Sequence, residues 1–163
     1  MPRPNRRTVA VLIAMWSLVP FARLTADTCK EMDGTFVSHL VPPPDCPSPI
    51  GLCTIGALDG KHEQTYFFVM ETFVPDPEGV PGKFVYTGHS EVTTIDGGAK
   101  VLGQDTGYMF IGPDPTNVPF VTTVNIVGGT KQYSDATGQY VATGQLNFVS
   151  GDAVGTFTSS VCK

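Results

Sequence analysis

Eight short β-type runs, each cut off by glycine or proline, constrain this chain more than any other feature of its sequence. They occupy residues 34–41, 52–58, 64–74, 83–94, 99–111, 120–127, 138–148 and 153–162. Between them lie Pro42-Pro43-Pro44, Asp59-Gly60, Pro75-Asp76-Pro77-Glu78-Gly79, Asp96-Gly97-Gly98 and a proline-rich stretch over residues 112–119. Proline cannot donate to a ladder, and the glycine pairs are turn formers. The clearest junction is late. There a β-type run enters Gly128-Gly129, crosses a polar segment carrying Tyr133, and leaves through Ala136-Thr137-Gly138, as two adjacent antiparallel strands joined by a glycine-dependent loop would. No stretch repeats with a helical period. The class is all-β, and eight runs at this spacing imply a closed antiparallel barrel or a sandwich.

Alternation assigns faces. Tyr140, Ala142, Gly144, Leu146 and Phe148 share one face of the seventh run, and Gln139, Val141, Thr143, Gln145 and Asn147 the other. The eighth run places Ala153, Gly155, Phe157 and Val161 together, where recurrent glycine suits tight curvature or room for a ligand. In the third run Tyr66, Phe68 and Met70 face one way and Phe67, Val69 and Phe73 the other. A strand apolar on both faces is covered on both. The expected cover is the N-terminal segment or a second subunit.

The N-terminus has a different character. Arg3, Arg6 and Arg7 precede an apolar run over residues 9–22, and the small residue Ala26 follows. This is the layout of a secretory signal peptide over residues 1–26, leaving one β domain at 27–163 and a secreted or periplasmic destination. Pro20 interrupts the run, which is shorter than the roughly 20 residues a span needs, so no stable membrane insertion is expected after cleavage. Cleavage removes all four arginines. Six lysines then face fifteen acidic residues, a formal charge of −9, which argues against nucleic acid and anionic lipid as partners. Cys29, Cys46, Cys53 and Cys162 all remain. An even count in an exported chain favours disulfides, three pairings are possible, and the spacing lacks the Cys-x-x-Cys of a zinc knuckle. A Cys29–Cys162 bridge would tie the first strand to the last.

Three pieces carry a family resemblance: the Gly128-Gly129-Thr130 loop closed by Ala136-Thr137-Gly138, the segment Cys46-Pro47-Ser48-Pro49-Ile50-Gly51-Leu52-Cys53-Thr54, and the terminal Gly155-Thr156-Phe157-Thr158-Ser159-Ser160-Val161-Cys162. They resemble the allene oxide cyclase and dirigent-like barrels, and bacterial secreted relatives of that superfamily above all. The resemblance implies an eight-stranded, calycin-like antiparallel barrel with a lumen for a small apolar or aromatic ligand. It further implies a cofactor-free cyclisation, isomerisation or coupling, and a homo-oligomer, trimer or dimer. Lys131 departs from it, standing where such loops commonly carry another glycine. At a position needing positive φ, Lys131 would be strained, so the loop is expected to bend differently or to hold that residue in an ordinary region. The oxide-cyclising members place a carboxylate early in the barrel, where this chain has Ser38 and His39.

In such a lumen the candidates are polar residues on apolar faces. Glu71 shares a face with Phe67, Val69 and Phe73; Ser90 with Phe84, Tyr86 and Val92; Asp105 with Val101, Met109 and Ile111. A desolvated carboxylate there has a raised pKa and suits general acid or base work, so Asp105 and Glu71 are the candidate catalytic pair. Tyr86, Ser90, Tyr140 and Phe157 are the candidate ligand-lining residues. For Asp105 the resemblance adds that several dirigent-like barrels carry an acidic residue on this strand. The competing reading of Asp105 is a bulge at Gln104-Asp105-Thr106-Gly107 in which it caps local amides. His89 and Glu91 form a surface pair in this reading. Gly88-His89-Ser90-Glu91-Val92 misses the last glycine of a hydrolase elbow and lies within a strand. His39, His62 and His89 show no metal-binding spacing, so no metal and no cofactor is expected. The alternative function is a non-catalytic exported barrel, a carrier or surface-interaction protein with a filled interior.

Overall fold

A computed structural model describes residues 28–60, 63–95 and 98–163. The expected signal peptide, His62 and the Asp96-Gly97 turn lie outside the described residues. Eight strands follow one another in chain order: β1 (Cys29–Leu40), β2 (Cys53–Asp59), β3 (Gln64–Pro75), β4 (Lys83–Thr94), β5 (Lys100–Phe110), β6 (Val118–Gly129), β7 (Thr137–Leu146) and β8 (Asp152–Cys162). Each pairs antiparallel with the next, and β8 returns to β1. The result is a closed eight-stranded barrel and not a sandwich. Closure runs over all of β1 but its last residue, from Cys29 opposite Cys162 to His39 opposite Asp152. The polar stretch 29–33 thus joins the strand, which alternation alone starts at residue 34.

Two disulfides hold this arrangement. Cys29–Cys162 joins register partners on the closing strands, and Cys46–Cys53 staples the loop between β1 and β2. The stapled loop supplies the outer cover of β3. Val69 and Cys53 are register partners with outward side chains, and both are buried where that loop folds back. Ser48 Oγ donates to the carbonyl of Met70, whose N–H donates to that of Leu52. The cover over Val69 is thus this stapled loop.

A bulge corrects the face assignment of β3. Pairing with β4 shifts register between Met70 and Thr72, so Glu71 is the extra residue. An extra residue inverts the alternation beyond it. Phe73 accordingly joins the inner face and stacks on Phe84, with ring centroids 4.8 Å apart.

At the late junction β6 ends at Gly129, a 3-10 turn spans Lys131–Tyr133, and β7 begins at Thr137. Lys131 does adopt φ 55°, the conformation the sequence reading expected this loop to avoid. The left-handed region costs a non-glycine residue about 1 kcal/mol. Around it the turn is held by Thr130, whose N–H donates to the Lys100 carbonyl and whose Oγ1 accepts from the Lys100 N–H.

The core lies within the barrel, and aromatic rings lie over glycines on neighbouring strands. A Cβ at Gly155 or Gly144 would come within 2.6 or 2.7 Å of the Phe36 ring, and one at Gly34 within 2.9 Å of Phe157. The room left by Gly144 and Gly155 is thus taken by Phe36.

Candidate functional site

The wall made by β4, β5 and β6 carries half of the lumen's polar groups, its carboxylate among them. Register lays three rows across it: Tyr86, Gly107, Thr122; then Gly88, Asp105, Val124; then Ser90, Gly103, Ile126. In each row a glycine adjoins a polar side chain. Glycine at 107 is required for Tyr86, since a Cβ there would lie 2.5 Å from both the Tyr86 hydroxyl oxygen and the Val121 carbonyl. Seated against Gly107, the Tyr86 hydroxyl hydrogen-bonds Thr122 Oγ1.

Between the walls is a cavity of about 120 Å³ open to the centres of water-sized molecules. Phe36, Tyr66, Phe68, Tyr86, Phe120, Tyr140 and Phe157 supply its aromatic lining, and aliphatic residues such as Met70, Val101 and Ile126 most of the rest. Its polar groups are few: Ser38, Thr54 and Tyr66 from β1 to β3, Tyr86, Ser90, Asp105 and Thr122 from the opposite wall, and Tyr140 from β7.

Asp105 is 4 % exposed, and its Oδ2 has no hydrogen-bond partner. Burial pushes its carboxyl up to about 6; the Ser90 hydroxyl and the charge of His89 oppose that shift, and Glu71 adds to it. The ladder through 104–107 is regular, with Asp105 between Gly88 and Val124, so the amide-capping bulge does not form. The irregularity on this strand lies at Leu102/Gly103. Ser38 Oγ is the other buried, unpartnered side-chain atom among the described residues. Desolvation also raises the three lumen tyrosines. Tyr66 is raised against the opposing effect of Ser38 and Thr54, Tyr86 well beyond the ordinary phenol range, and Tyr140 to about 12. Asp105 adds to the shifts of Tyr66 and Tyr86, which places its charge in the same low-dielectric space.

The lumen therefore brings together Asp105, Tyr86, Ser90, Tyr140 and Phe157. Glu71 is not with them. As the bulge residue it points outward, half-exposed, and its Oε1 pairs with His89 Nδ1 at 2.9 Å. Glu91 pairs with Lys100 at 2.7 Å, so the surface partner of His89 is Glu71 and not Glu91. Sequence reasoning missed Tyr66 and Thr122 and reached Ser38 only as a substitute for a carboxylate. The available signal was the face: Ser38 alternates with Phe36 and Leu40, and Tyr66 with Phe68 and Met70. Among the described residues, no three His, Cys, Asp or Glu side chains converge as a metal site.

No family model and no curated protein matches the chain. Among solved structures, the pterocarpan synthase dirigent protein is similar, with a TM-score of 0.48 and 15% identity over 83% of this chain and 90% of that one.

Proposed function

We propose that this protein binds a small apolar or aromatic molecule in its barrel lumen. The observation that carries the reading is the unfilled central cavity with a carboxylate oxygen left unpartnered in its wall. A barrel packed for stability alone would gain by an aliphatic residue at 105, because burying an unpaired carboxylate costs several kcal/mol. By resemblance the ligand undergoes a cofactor-free cyclisation, isomerisation or coupling. Asp105, titrating near neutrality, suits the transfer of a proton, and the aromatic walls hold one conformer away from water. Glu71 is too far out on the surface to share that role. Two disulfides and the signal-like N-terminus support action outside the reducing cytosol, in a secreted or periplasmic setting.

Native mass spectrometry of the protein from its own host's medium tests the reading, with denaturation to release and identify any retained compound. An apolar or aromatic compound at one per chain is expected. A clean apo mass, unchanged after exposure to a lipid and phenolic extract, overturns it in favour of a packed carrier or surface-interaction barrel.

A further inference from the structure

We infer that the lumen ligand carries a protonated amine on its apolar or aromatic body, and that the ammonium group docks on the free Oδ2 of Asp105. The inference rests on the lumen-binding reading above, and not on the proposal of a reaction.

Three observations converge on a cation. First, among the described residues Asp105 is the one formally charged side chain lining the cavity, with no lysine, arginine or histidine beside it there. The ionisable groups it interacts with electrostatically are Tyr66 and Tyr86 inside the barrel and Glu71 and His89 on the outside. A neutral alcohol would satisfy the hydrogen bond of Oδ2 and leave the buried charge uncompensated. An ammonium group satisfies both, by a charge-assisted N–H donation to the carboxylate. Second, the lining is rich in ring faces: Phe68 and Tyr86 stand 6.0 Å apart beside the Asp105 wall, with Tyr66 and Phe36 6.4 Å apart opposite. Ring faces attract cations, and more strongly where water is excluded. Third, acidic residues outnumber basic ones by fifteen to ten over the whole chain, a balance that favours approach of cations and repels carboxylate ligands. A metal ion is a poor alternative, since hard cations take six or more oxygen ligands and the cavity offers one carboxylate. The cavity holds a body of roughly eight to twelve non-hydrogen atoms, taking about 10–15 Å³ of such space per water-sized group.

Calorimetric titration of the disulfide-intact protein with three probes of matched size tests this: 2-phenylethylamine, 2-phenylethanol and propylbenzene. The amine is expected to bind at least about tenfold more tightly than the other two. Asp105→Asn is expected to bring the amine down to the level of the alcohol while changing the affinities of the alcohol and hydrocarbon by no more than about twofold. An amine that binds no better than the alcohol overturns the inference and leaves the lumen reading standing. An amine preference that survives Asp105→Asn overturns it as well. Failure of all three probes at millimolar concentration overturns both readings.

Discussion

Asp105→Asn should make the protein more stable at neutral pH and leave it unchanged in strong acid. The carboxyl moves from an ordinary 3.8 to about 6 on folding, chiefly through burial. A shift of about 2 units corresponds to about 3 kcal/mol, since each unit is worth 1.36 kcal/mol. The sign follows from proton binding. Between pH 4 and pH 6 the folded chain holds a proton on Asp105 that the unfolded chain has released, so stability falls as pH rises through this window. Below pH 4 both states are protonated and the penalty is absent; above pH 6 to 7 it is fully present. Asparagine has nearly the same shape and no charge, so it removes the penalty at every pH. Asp76, held below the ordinary carboxylate range by Lys83 at 2.9 Å, pulls the raw stability curve the opposite way. The quantity to measure is therefore the difference between variant and wild type. Urea unfolding followed by circular dichroism at pH 4, 5, 6, 7 and 8 gives it directly. The difference should climb by about 2.5 kcal/mol from pH 4 to pH 7 and then level. A difference flat to within about 0.5 kcal/mol, or one that falls with pH, would show that the carboxylate has a compensating partner and would refute the reasoning.

Other perturbations separate what holds the barrel from what furnishes its interior. Gly107→Ala places a Cβ against the Tyr86 hydroxyl and the Val121 carbonyl, so it should cost about 1–3 kcal/mol and change the near-UV circular dichroism of the buried tyrosines. Replacing Cys29 and Cys162 by serine opens a loop of sequence separation 133 and should cost about 5 kcal/mol in the chain-entropy account, against about 2.5 kcal/mol for Cys46 and Cys53 with separation 7; urea midpoints of the two double variants should fall in that order. Glu71→Gln breaks a half-exposed pair with His89, so it should alter stability by less than about 1 kcal/mol and leave probe binding unchanged, as titration calorimetry would check. Tyr86→Phe removes the partner of buried Thr122 Oγ1 and should cost about 1–3 kcal/mol in thermal or urea unfolding.

The barrel was legible because its signals are local. Proline and glycine mark strand ends wherever they occur, and strict alternation in β7 and β8 needs no tertiary context, so those faces match the structure. The inner faces of β4 and β5 also follow the sequence grouping: Phe84, Tyr86, Ser90 and Val92 turn inward together, as do Val101, Asp105 and Met109. What the pattern could not carry was a register shift. Nothing in Met70-Glu71-Thr72 announces an extra residue, yet it turns Phe73 to the inner face, while Glu71, in phase with outward Val69, stands at the surface. Lys131 failed for a related reason: propensity disfavours its φ of 55°, and the loop's surrounding hydrogen bonds override that preference. Ser38 and Tyr66 were hidden because their strands announce faces and not neighbours. Only closure of β8 on β1 and the curvature of the sheet bring them opposite Asp105.

That curvature also explains why the interior is incompletely filled. A small eight-stranded barrel has room for roughly one set of inward side chains, and large residues on every strand would overfill it. Here the inward positions alternate between rings and glycine, with Tyr86 against Gly107 and Phe36 over Gly144 and Gly155. Where a ring reaches across its glycine neighbour the space is used. At Gly88 the Phe68 ring does so too, whereas at Gly103 the neighbours are Val124 and the Ser90 hydroxyl, and the short Asp105 side chain in the row between them adds little bulk. The cavity and the unpartnered carboxylate are thus two results of one choice of residues on β4 and β5. A larger apolar residue at 105 would remove both at once, which ties binding capacity to the same position that lowers stability above pH 6.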